Sequence, residues 1–258
     1  MEQIQTMIPS INTEKSYIEL LQMTADSYNS KPGTLDGYDC KICKNKGEIA
    51  KVVGEDCVRA ECECMKIRDT LDRIRRSGLE ELFRKSSFKN YECTEKWQQE
   101  IMNDAIGFLK DGKGGMFMGG QSGSGKTHLC TAVVGGFIKK GLTARYFVWR
   151  EHSLKLKAII NEKDYTPAID DFKKTDVLYI DDLFMQDTIT DADIKLAFEI
   201  IDYRLRNNLM TIISTNLSLD ELLDINEPLG SRIVEMTAAA QIYIKKDRRK
   251  NYRLKKRR

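Results

Sequence analysis

The sequence is short of several things, and each shortage closes a possibility. Four prolines and 17 glycines in 258 residues exclude a collagen-like or proline-rich chain. No run of 18 or more apolar residues occurs, so no transmembrane helix is expected. The first thirty residues carry Glu2, Glu14, Glu19 and Asp26 and have no apolar stretch of the kind a secretory leader needs, so no signal peptide and a cytoplasmic location are expected. No cluster of histidines or carboxylates offers a metal site with an open position, which argues against a catalytic zinc. There is no internal repeat. What remains is a globular balance, 41% hydrophobic and 31% charged. The length suffices for one well-buried core and a small second module.

Charge is unevenly spread. The formal net charge is +3, yet Lys245 to Arg258 holds ten Lys/Arg against the single acid Asp247. A basic block of this kind points to an anionic polymer as partner, or to a solvated tail.

Five of seven cysteines fall between residues 40 and 64. Cys40-Lys-Ile-Cys43 is a C-x2-C knuckle and Cys62-Glu-Cys64 a tight C-x-C pair. Two close pairs across a short loop place four thiolates around one tetrahedral zinc. Cys57 is an alternative to one of the second pair. The intervening loop contains Gly47 and Gly54, and Ile49–Val53 reads as a hairpin arm. A segment this small lacks a hydrophobic core, and zinc would replace it. Cys93 and Cys130 read as packing residues.

Along the chain, residues 13–28 read as a helix, capped by Asn12 or Thr13 and ended by Lys31-Pro-Gly33. Cys64–Arg76 reads as a second, with Ile67, Leu71 and Ile74 on one face and Arg68, Arg73, Arg75 and Arg76 on the other. Ser77-Gly78 stops it. A linker follows, and the domain boundary is expected near residue 85, giving modules 1–85 and 86–258. Beyond it, helices alternate with strands at Gly115–Gly119, Ala144–Trp149, Val177–Ile180, Met210–Thr215 and Gln241–Ile244. The pattern predicts an α/β fold with a five-stranded parallel sheet flanked by helices.

Gly120-Gln121-Ser122-Gly123-Ser124-Gly125-Lys126-Thr127 fits G-x4-G-K-[ST] in full, after an apolar strand and before a helix. Glycines let backbone N–H groups turn toward oxyanions, and the helix N-terminus adds partial positive charge. Lys126 is placed to reach the β- and γ-phosphates of ATP and Thr127 to ligate Mg2+. Val177-Leu-Tyr-Ile-Asp181-Asp182 supplies the acids: Asp181 as the Mg2+ partner through water, Asp182 as the group that polarises an attacking water. Two adjacent acids argue for hydrolysis rather than storage. Asn216, at the tip of the next strand, is placed to hold that water.

Taken together, the phosphate loop, Asp181-Asp182, Ser214-Thr215-Asn216 and Gly230-Ser231-Arg232-Ile233 resemble an AAA+ ATPase of the P-loop NTPase class. With the cysteine segment before them, they resemble phage and Gram-positive helicase loaders of the DnaC/DnaI type, over roughly residues 38–255. The resemblance implies Asn216 as sensor 1 and Arg232 as an arginine finger reaching a neighbouring subunit. It implies a sensor 2 arginine after the last strand, Arg248 or Arg249, with Arg249 preferred. It implies an insert at His152–Lys174 with Lys155 and Lys157 toward single-stranded DNA. Tyr91 is placed to pack on adenine or within the linker, while His128 and Trp149 read as packing residues. The sequence departs from many AAA+ proteins in having Asp182 where Glu is common, and no helical lid is expected after residue 244.

The function so implied is an ATP-dependent loader of the replicative DNA helicase onto single-stranded DNA, with ATP, Mg2+ and Zn2+ as cofactors and self-association in an ATP-dependent oligomer. The rivals are an IstB-type transposition helper ATPase and an ATP-switched adaptor that does not hydrolyse.

Overall fold

The computed structural model describes residues 13–76, 80–185 and 188–255. The Asn12 cap and the Ser77-Gly78 stop lie outside them. The chain forms two compact units, divided between Asp69 and Thr70.

In the first unit, helix α1 (Thr13–Ser30) precedes a two-stranded antiparallel hairpin, β1 (Glu48–Val53) and β2 (Asp56–Glu61), paired from Glu48↔Glu61 to Val53↔Asp56. Gly54, at φ +62°, gives the two-residue turn the positive φ that tight hairpins require. Asn29 holds α1 to the hairpin through both of its amide groups, donating to Ala50 O at 3.0 Å and accepting from Ala50 N–H at 2.9 Å. Few apolar side chains are buried here. The central cluster is Cys40, Cys43, Cys62 and Cys64, flanked by Tyr38 and Ile49. Helix α2 (Cys64–Arg76) starts at the last of these cysteines.

The second unit continues with α3 (Glu80–Lys85), α4 (Lys96–Asp111), β3 (Met116–Gly120), α5 (Lys126–Lys139), β4 (Ala144–Val148), α6 (Trp149–Ala158), α7 (Tyr165–Lys174) and β5 (Val177–Asp181). It ends with α8 (Asp191–Arg206), β6 (Met210–Ser214), α9 (Leu219–Ile225), α10 (Glu227–Met236), β7 (Ala240–Ile244) and α11 (Tyr252–Lys255). The expected five-stranded parallel sheet is present, in the order β4-β5-β6-β3-β7. Its strands are short and apolar because helices cover both faces. Leu178, Ile180, Ile212, Ile213, Phe117 and Phe147 are at most 1% exposed, and each such side chain contributes about 1.5–3 kcal/mol. Trp149 lies in this core, as read from the sequence.

The division after Asp69 lies upstream of the boundary expected near residue 85. The stretch read as a linker belongs with the sheet unit for a packing reason. Phe83 meets the Tyr146 ring edge-on, Ser87 O lies 2.8 Å from His128 Nε2, and Tyr91 packs edge-on against the same histidine. Arg204 is fully buried, its guanidinium donating to Thr211 Oγ1 and to the carbonyls of Phe172, Lys173, Thr175 and Met210. It joins the end of α7 to the start of β6, satisfying carbonyls that a helix terminus leaves open.

Candidate functional site: a phosphate loop with paired carboxylates

In a parallel sheet, ligands bind beyond the carboxyl ends of the strands. Here β3 runs into the phosphate loop, its neighbour β6 ends at Ser214, and β5 ends at Asp181. The resulting cleft of ≈ 650 Å³ is lined by Ser122 to His128, Asp181, Asp182 and Asn216, with Tyr91, Tyr146 and Arg253 around them. The loop closes tightly. Gly120 has φ +101°, and a Cβ there would meet Ile244 O at 2.1 Å. Gln121 N–H donates to that same carbonyl at 2.9 Å, tying the loop to β7.

Lys126 is 6% exposed, and its ammonium donates to Gly120 O at 2.9 Å, Gln121 O at 2.8 Å and Asn216 Oδ1 at 2.7 Å. All three are neutral acceptors. Burial drives its pKa down to about 8, against the opposing pull of Asp182 and Asp181. A buried cation held only by neutral oxygens is matched to an incoming anion, so the loop fits a nucleotide phosphate.

Asp181 is fixed by hydroxyls. Tyr179 donates to its Oδ1 at 2.6 Å and Thr127 at 3.2 Å; Ser214 donates to the same oxygen and Tyr146 to Oδ2. Three of these donors escaped the sequence reading, although strand geometry marks them. Tyr179 precedes Asp181 by two positions and so shares its face. Tyr146 is the register partner of Tyr179, and Ser214 follows the Ile180↔Ile213 pair beside Asp181. Burial, followed by the charge of Asp181, raises both phenol pKa values and keeps them as donors. The carboxylate oxygens, with Thr127 beside them, are the groups that could hold Mg2+.

Asp182 takes the left-handed conformation, φ +56°, which Asp tolerates better than most residues. Its N–H donates to Ser214 Oγ at 3.2 Å, so one hydroxyl orders both acids. The walls of the cleft desolvate it and Asp181 repels it, raising its pKa despite Lys126 and Arg253. A raised carboxylate suits a group that accepts a proton from water.

The arginines divide. Arg249 does not line the cleft; its side chain is 88% exposed and pairs with Asp247 at 2.9 Å. Arg248 lines a separate recess with Gln121 and Asn216. Arg253 lines the main cleft and acts electrostatically on Lys126 and Asp182. It is placed there because Tyr252 N–H donates to Gly123 O at 2.8 Å, and a Cβ on Gly123 would strike Asn251 Oδ1 at 2.2 Å. The only hint of this in the sequence was the basic tail. Arg232 is on α10, outside the cleft lining, paired with Asp202 at 2.7 Å and stacked over Phe198. Lys155 pairs with Glu151 and Lys157 with the buried Asp193, both at 2.7 Å.

In the first unit, the sulfurs of Cys40, Cys43, Cys62 and Cys64 all lie within 4.8 Å of one another. Cys40 and Cys62 are 3.8 Å apart and Cys43 and Cys64 3.5 Å. Sulfurs about 2.3 Å from a tetrahedral zinc sit about 3.8 Å from each other, whereas a disulfide needs about 2.05 Å. The spacing therefore fits a four-coordinate metal. Burial pushes the Cys62 and Cys64 thiols up, whereas at Cys43 the Gly47 N–H and the neighbouring thiols outweigh burial and pull the pKa down to about 6. Cys57 stands outside the cluster.

A family model described as IstB-like ATP binding protein matches residues 58–251. The chain belongs to this family. It is 32% identical over 219 residues to YqaM of Bacillus subtilis strain 168, covering 78% of this chain and 68% of that one. It is 23% identical over 222 residues to the replicative helicase loader DnaI of the same organism, covering 83% and 70%. The crystal structure of the DnaC helicase loader superposes with a TM-score of 0.55 at 27% identity, covering 63% of this chain and 98% of that chain. Membership brings the expectation of ATP binding to the Lys126 cleft. Among the described residues, no helix is long and apolar enough to cross a membrane.

Proposed function

We propose that this chain is a cytoplasmic Mg2+-dependent ATPase that loads the replicative DNA helicase onto single-stranded DNA. The observation carrying the ATPase reading is the convergence of Lys126, Asp181, Asp182 and Asn216 on one cleft. The likeness to DnaI and DnaC supports the loader reading.

In this reading the loop N–H groups and Lys126 bind the phosphates. Thr127 and, through water, Asp181 would hold Mg2+, which would neutralise charge on the transferred group. Asp182 accepts the proton of the attacking water and Asn216 orients that water. Lys126 leaves Asn216 for the phosphates, freeing the amide for this task. Arg232 supplies charge to the site of a neighbouring subunit, and Arg253 approaches the phosphates of its own. The tetrathiolate takes a structural zinc, and the first module grips the helicase.

An IstB-like helper of transposition is the second reading, favoured by the family description itself. The four-cysteine cluster supports the loader over the helper, since a helical amino-terminal extension is what a helper would carry. A pull-down with the replicative helicase, with and without ATP, decides between them. Wild type should capture the helicase and Cys40→Ser/Cys43→Ser should not. No capture under conditions where ATP still binds would sink the loader reading.

A further inference from the structure

Spacing along α2 put Arg68 on a charged outer face, but the structure buries it to 6% exposure. Among the described residues of the first unit it is the one buried charged side chain. A lone buried cation costs several kcal/mol unless its charge and donors are met. Its donors are mostly met by the cysteine knuckle. The guanidinium donates to Asp36 O, to Tyr38 O at 2.6 Å and to Asn45 Oδ1 at 3.0 Å. Asn45 Oδ1 in turn accepts the Cys40 N–H at 2.8 Å. None of these acceptors is a carboxylate, so the charge itself is unmatched by them.

Two facts indicate what matches it. Arg68 stands one helical turn after Cys64, and helical side chains lean toward the N-terminus, over the residue four positions earlier. Arg68 Nε is also buried with no hydrogen-bond partner. A neutral thiol is a weak acceptor, whereas a metal-bound thiolate is a strong one. Four thiolates around a divalent ion leave two net negative charges in a buried site, and Arg68 supplies one positive charge against them.

We propose that Arg68 is the outer partner of the tetrathiolate metal site: it orients Cys64 toward the metal, offsets part of the site's charge, and protects the sulfurs from electrophiles. The assignment rests on the reading that the cluster holds zinc. Arg68 is a positioning residue; in this assignment it acts through a ligand and not on the metal. Protection follows because a thiolate that accepts a hydrogen bond beside a cation is a poorer nucleophile.

The test uses the full chain loaded with zinc or cobalt, comparing wild type with Arg68→Met and Arg68→Lys. Competition against a chromogenic chelator should show zinc affinity falling about 10–100-fold in Arg68→Met, the range for loss of an outer partner. Removing the cation raises the energy of the sulfur electrons, so the sulfur-to-cobalt charge-transfer band should move to lower energy. Iodoacetamide should alkylate the zinc-loaded cysteines faster. Arg68→Lys, which keeps charge without the fork, should move the band less. Should Arg68→Met fail to fold, Arg68→Gln, which retains donors and lacks charge, takes its place. An affinity loss with band and alkylation unchanged would mean that Arg68 only ties down Asp36, Tyr38 and Asn45, and the proposal falls. Wild type binding metal with Arg68→Met identical overturns this assignment alone. Wild type taking up no metal overturns the zinc reading, and this assignment with it.

Discussion

Lys126 Nζ and Asn216 Oδ1 are joined at 2.7 Å across 90 positions of sequence, the ammonium of the phosphate loop meeting the amide at the tip of β6. Phosphate binding must take Lys126 from this amide, so the two residues should separate in their effects. Asn216→Ala should leave ATP affinity within a few-fold of wild type and lower turnover about 10²-fold, the usual scale for one oriented polar group. Lys126→Ala should abolish ATP binding as well as turnover. Titration of a fluorescent ATP analogue beside a phosphate-release assay reads both. Equal loss of binding in the two variants would show Asn216 acting only through Lys126.

The depressed pKa of Lys126 sets a pH dependence whose sign is fixed. Without nucleotide the ammonium begins to lose its proton near pH 8. Bound phosphates favour the charged form, so affinity for ATP should be flat below about pH 8 and fall above it, by up to tenfold per unit. Above pH 8, binding should take up a proton, visible by calorimetry in buffers of different ionisation enthalpy. For folding, the folded pKa lies below the ordinary 10.5, so the nucleotide-free protein should gain stability as pH rises from about 8 toward 10.5. At the acid end, Asp182 must be ionised to take a proton. Its raised pKa puts the loss of turnover above the range of an ordinary carboxylate.

The parts of this molecule that follow from local rules were legible in the sequence. The loop from Gly120 to Thr127 is contiguous, and its glycines reflect backbone demands that no side chain can disguise. The clustering of Cys40, Cys43, Cys62 and Cys64 was readable because close cysteine pairs at that spacing can converge on one point. Tyr146 and Ser214 were harder to see because their role depends on strand order, which puts β4 and β6 on either side of β5. Arg68 was misplaced because helical periodicity assigns a face and says nothing of what covers it. The unit boundary moved from residue 85 to 69 because Phe83, Ser87 and Tyr91 find partners on Tyr146 and His128, far away in sequence.

The two tail arginines give a sharp contrast. Arg249 is spent on Asp247 in solvent, whereas Arg253 lines the cleft. Arg253→Ala should weaken ATP binding about tenfold or more, as loss of one charge-assisted phosphate contact does. Arg249→Ala should change it by less than twofold, since exposed pairs contribute little. Gly123→Ala should mimic Arg253→Ala in part, because the added methyl displaces Asn251 and with it the segment carrying Arg253. A larger effect from Arg249 than from Arg253 in the same titration would reverse the assignment.

Arg232 lies outside the cleft of its own chain, held by Asp202 and by Pro228 O at 3.0 Å. If it serves a neighbour, the defect of Arg232→Ala belongs to the adjacent site and not to its own. Arg232→Ala should bind ATP normally and lose about 10³-fold in turnover, the lower end for a finger supplied in trans. Asp182→Asn should be equally inactive, with its finger intact. Mixing the two inactive proteins then decides the matter. An Arg232→Ala subunit has a complete cleft, and an Asp182→Asn neighbour can lend it the missing guanidinium. Turnover should therefore reappear in the mixture, rising with total protein concentration as mixed contacts form. A mixture as inactive as its parents, under conditions where wild type assembles, would leave Arg232 no role across subunits and reduce it to the ion pair with Asp202.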